Sequence, residues 1–150
     1  MKTSHKMALV TSAVLGFVLL TGFRGGHMGW GGRNPERINQ MLTWRLDDRL
    51  EELKATDAQK RTIQGLKDSL FADGKKVLEE QRESRGELLT QWDSDKPDAR
   101  AVHALVDARV DAWRGFAHNV ADAFLEAHRV LTPAQRQQVS GEVREHMNAR

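Results

Sequence analysis

Apolar residues recur every three to four positions along most of the chain, which is the spacing of amphipathic α-helices. The pattern predicts four helices, over residues 34–53, 56–92, 97–129 and 132–148, and no strand. In the first segment the apolar side chains form one stripe between charged faces. Its members are Ile38, Met41, Leu42, Leu46, Leu50 and Leu53.

The second and third segments differ in how much apolar surface they carry. The second has a thin stripe that runs from Ile63 to Trp92, whereas the third has a wide apolar face from Val102 to Ala127. Residues 92–97 are rich in Asp and end in Pro97, so we expect a turn there and a long antiparallel hairpin. A face as wide as that of the third helix has room for a second neighbour, and we expect a homodimer.

Two short motifs mark the starts of the second and fourth helices. Thr56 is followed three residues later by Gln59, and Thr132 by Gln135, with Leu131 just before the second pair. This is the spacing of a capping box, in which a hydroxyl and a side-chain amide cap the helix start reciprocally. The expected roles of these five residues are therefore structural.

The first 23 residues have the layout of an export signal. Lys2 and Lys6 precede an uncharged apolar run that reaches Leu20, and no cysteine follows to carry a lipid. Residues 24–33 are half glycine and are expected to form a linker, with His27 and Met28 as soft but isolated metal-ligand types. A helical domain over residues 34–150 would then lie outside the cytoplasmic membrane, either free after cleavage or still anchored by an uncleaved signal.

The amino-acid composition and the absence of known motifs argue against several classes of function, as follows from cysteine content, charge and catalytic residues. The chain has no cysteine, and residues 24–150 hold 21 basic and 21 acidic residues. A neutral domain lacks the basic excess with which proteins displace counterions from nucleic acid. No Gly-rich phosphate loop and no nucleophile motif is present, so we expect neither an enzyme nor a cofactor.

Histidines give no compact metal motif. After the signal they are His27, His103, His118, His128 and His146, and no two are four residues apart. That spacing would place two ligands on one helix face, so a site would need several helices or two copies of the chain. No metal-ligating residue is assigned.

The sequence Leu131-Thr132-Pro133-Ala134-Gln135 resembles the LTxxQ motif of the Spy/CpxP family, and Thr56-Asp57-Ala58-Gln59 resembles its first copy. Ala55 departs from the pattern, because leucine usually stands there. The resemblance implies a periplasmic chaperone that works without ATP, a thin curved dimer of helical hairpins that holds unfolded or misfolded proteins. The alternative is a zinc, nickel or copper sensor or resistance protein, as in some relatives, with an inner-membrane sensor kinase as a further partner.

A surface that holds clients weakly needs apolar groups beside long basic side chains, whose stems cover apolar area and then move aside. Seven residues of the first two helices combine these types, although the sequence leaves open which face is inward. The candidates for client binding are Met41, Trp44, Arg45, Arg61, Phe71, Lys75 and Arg82.

Overall fold

A computed structural model describes residues 34–148, and within that range the chain forms four α-helices and no strand. They are α1 (Pro35–Glu52), α2 (Asp57–Trp92), α3 (Ala99–Val130) and α4 (Pro133–Asn148). The predicted all-α fold with four helices is confirmed. The predicted signal segment and glycine-rich linker lie outside the described residues.

Side-chain caps set where α1 and α3 begin. The Oδ1 atom of Asn34 accepts a hydrogen bond from the Glu36 amide at 3.0 Å, directly before Pro35. For α3 the predicted start at Pro97 is wrong by two residues. Asp98 is the cap instead, because its Oδ1 accepts from the amides of Arg100 at 2.8 Å and Ala101 at 3.2 Å.

Two compact units divide the chain, and both long helices run through the division. Among the described residues, the first unit contains 34–67 and 124–148, and the second spans Asp68–Ala123. The core of the first unit centres on Leu50, which is fully buried. Leu46 and Ile63 complete the cluster, and three partly buried side chains pack against it: Ala55, Val130 and Leu131.

Polar contacts join α1 to the start of α2 beside this core. The Lys67 ammonium donates to Asn39 Oδ1 at 3.0 Å and to Thr43 Oγ1 at 2.7 Å. The Gln64 amide donates to Asp47 Oδ1 at 2.6 Å. These bonds fix the register of the two helices along the edge of the apolar contact.

Helix α4 contacts two other helices of the first unit. Arg136 in its first turn donates to the carbonyl oxygens of His128 and Leu131, at the end of α3, as the sequence predicts. The structure adds a contact with α1, where the buried Arg49 forms ion pairs with Glu142 of α4 and with Glu52. An arginine held by two carboxylates therefore joins α1 to α4.

Within the second unit α2 and α3 are antiparallel. Asn119 Nδ2 donates to Asp73 Oδ2 at 2.9 Å, and Gly74 faces the Phe116 ring, whose atoms would lie 3.5 Å from an added Cβ. The predicted apolar stripe of α2 is buried at Val77 but not at Trp92, which is 84% exposed. Trp92 is the last residue of its helix, directly before the turn.

Candidate functional site

Each of the two Thr-x-x-Gln motifs forms a complete capping box. Gln59 Oε1 accepts from the Thr56 amide at 2.9 Å, and Thr56 Oγ1 accepts from the Gln59 amide at 3.2 Å. The second box repeats this with Thr132 and Gln135 at 2.9 and 3.3 Å. Two free amides at each helix start thereby find partners.

The two boxes also bind each other. Gln59 Nε2 donates to Gln135 Oε1 at 3.0 Å, and Gln135 Nε2 donates to Gln59 Oε1 at 3.2 Å. We name the four residues Thr56, Gln59, Thr132 and Gln135 the glutamine clasp. Although 76 residues separate the two glutamines, their side-chain amides form one reciprocal pair.

The clasp also holds the carbonyls that end the preceding helices. Gln59 Nε2 donates to the Val130 carbonyl oxygen at 2.7 Å, and Gln135 Nε2 donates to that of Leu53 at 3.1 Å. Carbonyls in the last turn of a helix have no partner within the helix, so the clasp supplies them. Each glutamine thus joins the start of its own helix to the end of a helix from the other half of the unit.

The residues before each box place an apolar side chain on the same core. Leu131 and Ala55 both pack against the Leu46, Leu50 and Ile63 cluster. The smaller Ala55 follows a tight turn in which Lys54 takes a positive φ of 51° and its amide donates to the Glu51 carbonyl oxygen. The first motif therefore keeps the packing position of the second with a smaller group.

The clasp has the chemistry of a structural site. Its side chains are neutral hydroxyls and amides, and the side-chain Nε2 of each glutamine donates to two acceptors of the unit. It contains no base beside a hydroxyl and no group that carries charge, the two features that nucleophilic or acid–base catalysis requires.

Four of the predicted client-binding residues lie in the first unit. Met41 is 41% exposed and Trp44 is 70% exposed on α1, where their separation of three residues makes them surface neighbours. Arg45 is half-buried beside them, and Arg61 is exposed on α2. Met41, Trp44 and Arg45 thus place apolar and basic groups together on α1.

The other three predicted residues lie in the second unit and share one face of α2. At 100° per residue, Phe71, Lys75 and Arg82 fall within 40° of one another around the helix. Leu78, Arg85 and Leu89 extend the same face, and Leu89 is 62% exposed. We name this face the α2 strip; its members are Phe71, Lys75, Leu78, Arg82, Arg85 and Leu89.

Apolar side chains are also exposed elsewhere. In the second unit Val106 is 47% and Val110 is 50% exposed, one turn apart on α3. In the first unit Phe124, Leu125 and Met147 are between 45% and 69% exposed. The wide apolar face predicted for α3 is therefore only partly covered by α2 in the second unit.

Glu126 and Arg129 form an ion pair in the last turns of α3. The Arg129 guanidinium donates to the Glu126 carboxylate, with Nε 2.8 Å from Oε2. This hydrogen bond lowers the pKa of Glu126 from 4.5 and raises the pKa of Arg129. Among residues 34–148, no group of three or more His, Cys, Asp or Glu side chains is placed to hold a metal ion.

Sequence reasoning missed the long-range polar contacts. Arg49 gives a signal in retrospect, because it lies between Leu46 and Leu53 within the apolar stripe of α1 and is only 7% exposed. A charged residue at such a position needs a buried partner. The sequence does not indicate which acid that is, since Glu142 lies on another helix.

The chain is thus an all-helical protein in which the glutamines of two Thr-x-x-Gln caps hydrogen-bond to each other. The sequence matches the LTXXQ motif family over residues 41–142, and the chain belongs to that family. This confirms the resemblance to the Spy/CpxP proteins. No curated protein and no solved structure matched the chain.

Membership of this family indicates the compartment and the broad functional class that are typical of its members. Proteins of the LTXXQ motif family are typically periplasmic and are not known enzymes. Within the described residues, no helix has the length and apolar content that crossing a membrane requires.

Proposed function

We propose that this protein is a periplasmic chaperone that works without ATP and holds unfolded polypeptides on the exposed faces of its helices. The observation that carries the proposal is the α2 strip. It combines apolar and basic side chains along one side of α2, where Phe71 and Leu78 are half-buried and the other four members are exposed. Such a surface binds many sequences weakly, because apolar contact is non-directional and the basic side chains adapt their positions.

The α1 patch formed by Met41, Trp44 and Arg45 supports the same role in the first unit. Exposed tryptophan and methionine offer adaptable apolar contact, and methionine suits surfaces that accept many partners. Burying a few hundred Å2 of apolar area gives several kcal/mol at roughly 25 cal/mol per Å2, before the cost of ordering the client. The result is weak, reversible holding that needs no nucleotide to release the client.

A homodimer is part of this proposal. Val106 and Val110 on α3 offer apolar area to a second copy, and Phe124, Leu125 and Met147 add more in the first unit. Sedimentation equilibrium measures the state directly. Replacing Val106 and Val110 with serine is expected to shift the protein toward monomer, and a monomeric wild-type protein would contradict this part of the proposal.

Aggregation of a chemically unfolded client, followed by light scattering, tests the holding function. We expect suppression at a near-stoichiometric ratio without ATP. Replacing Phe71, Leu78 and Leu89 with serine should weaken it, whereas replacing the exposed Ala121 with serine should leave it unchanged. Absence of suppression by the wild-type protein across several clients would remove the proposal.

Metal sensing is the competing function that the family leaves open. Calorimetry with zinc, nickel and copper tests it. Dissociation constants weaker than about 0.1 mM for all three ions, equivalent to roughly 5 kcal/mol or less of binding free energy, would rule it out.

A further inference from the structure

The turn between α2 and α3 carries the most exposed large apolar side chain among the described residues. Trp92, at the end of α2, is 84% exposed, and Leu89, one turn earlier on the same side, is 62% exposed. An indole offers a large rigid apolar face together with an N–H donor. We name Leu89, Trp92, Asp93, Asp95 and Asp98 the tip patch.

The tip patch is acidic. Between residues 86 and 99 the chain has four acids, Glu87, Asp93, Asp95 and Asp98, against one base, Lys96. Two of these acids follow Trp92 within three residues, and all four are exposed. The α2 strip has the opposite character, since its three charged residues are all basic.

The tip is held in one conformation by its own polar groups. The Asp98 amide donates to Gln91 Oε1 at 2.8 Å, the Lys96 amide donates to Ser94 Oγ at 3.2 Å, and the Asp98 carboxylate caps α3. Binding to a preformed surface avoids the cost of ordering a loop. Neither Trp92 nor the carboxylates of Asp93 and Asp95 take part in these bonds.

A groove lies next to the tip, between α2 and α3 of the second unit. It has a volume of about 490 Å3 and is lined by Thr90, Gln91, Ala101, Ala104, Leu105 and, at its edge, Glu87. Leu105 and the two alanines line it from α3, and at 100° per residue its α2 residues lie on a different side of that helix from Leu89 and Trp92. Glu87 adds a further negative charge at this end of the unit.

We propose that the tip patch is a docking surface for polypeptide segments in which an apolar side chain is flanked by lysine or arginine. The apolar residue would contact Trp92 and Leu89, and the flanking cations would face Asp93 and Asp95. Charge complementarity selects this occupant. An anionic phospholipid surface is disfavoured by the same carboxylates, and pairing of two copies tip to tip would bring like charges together.

The inference deepens the proposed function, because it assigns a charge preference to one part of the holding surface. Exposed ion pairs contribute up to about 1 kcal/mol each at low salt, so two pairs give a preference of roughly fivefold to thirtyfold in affinity. Most of that preference should disappear at 0.5 M salt, where the Debye length is only about 4 Å.

Fluorescence anisotropy with three labelled peptides tests the proposal. The peptides share one apolar Leu and Val centre and carry lysine, serine or glutamate at both flanks. We expect the exported wild-type protein to bind the lysine-flanked peptide at least about fivefold more tightly than the serine-flanked one and the glutamate-flanked peptide most weakly. The variant Asp93→Asn with Asp95→Asn should lose the preference, and Trp92→Ala should weaken binding of all three.

Asp107→Asn with Asp122→Asn is the matched control, because it removes two other exposed carboxylates of the second unit and should keep the lysine preference. Circular dichroism melting of each variant shows whether the helices remain folded. Equal affinity of the wild-type protein for the three peptides would overturn the inference. So would an unchanged preference in the Asp93 and Asp95 variant.

Two further outcomes would also overturn it. One is binding of Trp92 to anionic phospholipid vesicles in place of the peptides, and the other is concentration-dependent self-association that Trp92→Ala abolishes. The aggregation assay separates this inference from the holding function. Suppression that persists without any charge preference ends the tip proposal alone, whereas failure of wild-type suppression ends the holding function.

Discussion

At the scale of single residues, the two clasp glutamines each combine three kinds of hydrogen bond. Each caps its own helix, bonds the other glutamine and holds a carbonyl oxygen at the end of another helix. A residue with this many partly buried partners cannot be lost without leaving several of them unpaired. Such unpaired groups cost more than the net gain from a hydrogen bond.

We therefore expect Gln135→Ala to lower the free energy of unfolding by roughly 2 kcal/mol. The exposed Gln138, one turn away on α4, provides the control, and Gln138→Ala should change stability by less than about 0.5 kcal/mol. Urea denaturation followed by circular dichroism measures both. Equal effects of the two substitutions would show that the clasp contributes nothing beyond helix propensity.

The pair of glutamines should also be energetically coupled. Because Gln59→Ala and Gln135→Ala remove the same reciprocal bonds, the double variant should be less destabilised than the sum of the single variants. We expect a coupling energy of roughly 0.5–3 kcal/mol in a double-mutant cycle. Strict additivity would indicate that the two capping boxes act independently.

Arg49 is the buried charge on which the α1–α4 contact depends. Arg49→Met removes the cation and leaves Glu142 partly buried without it, so we expect a loss of roughly 2 kcal/mol or more. Arg49→Met with Glu142→Leu should recover part of that loss, since two apolar groups of similar size can replace an ion pair. Arg37→Met, at an exposed position of α1, is the control in the same urea assay.

The exposed Glu126–Arg129 pair gives a pH dependence with a defined sign. The pKa of Glu126 is lowered in the folded protein, so its stabilising contribution is present above the unfolded value and is lost as pH falls through the folded value. An NMR titration should show a Glu126 midpoint below 4.5 that rises toward this value in Arg129→Gln. A midpoint unchanged by that substitution would contradict the assignment.

At the scale of helices, the sequence predicts those helix starts that depend on hydrogen bonds between residues close together in the chain. Asn34-Pro35 and the threonines of the two boxes define helix starts, because a cap bonds only with residues two or three positions away. The predicted start of α3 at Pro97 is wrong because both Pro97 and Asp98 suit a first turn, and the carboxylate of Asp98 forms the cap. The bonds between the boxes and the Arg49–Glu142 pair connect distant parts of the chain, so no local spacing encodes them.

The glycines inside α2 lower its intrinsic stability. An added Cβ at Gly65 or Gly86 would meet no atom within 4 Å, and at Gly74 it would make ordinary contact with the Phe116 ring. We expect Gly65→Ala and Gly86→Ala each to raise the free energy of unfolding by roughly 0.5–1 kcal/mol. Thermal melting checks this, and a lower melting temperature would show that α2 needs the glycines for its geometry.

At the scale of the whole molecule, the described residues combine a small core with abundant exposed apolar area. Seven apolar residues are buried, whereas nine large apolar residues are more than two-fifths exposed. The sequence predicted a thin stripe on α2 and a wide face on α3, and hence apolar surface left over. The proposed function assigns this exposed apolar surface to clients and to a second copy of the chain.

Salt dependence distinguishes apolar contacts with a client from contacts between charged groups. Apolar burial is not weakened by salt, whereas exposed charge pairs are screened. We expect aggregation suppression to persist at 0.5 M sodium chloride, with a loss of about twofold or less. Complete loss at that concentration would show that charge, and not apolar contact, holds the client.

The most direct test of the central claim is to map where a held client touches the protein. Amide NMR spectra of the protein would be recorded with and without a permanently unfolded polypeptide. The account predicts shift changes along the α2 strip and around Met41 and Trp44, with the clasp residues Thr56 and Thr132 unchanged. No shift changes on these exposed faces, or changes confined to the buried core as the protein itself unfolds, would contradict it.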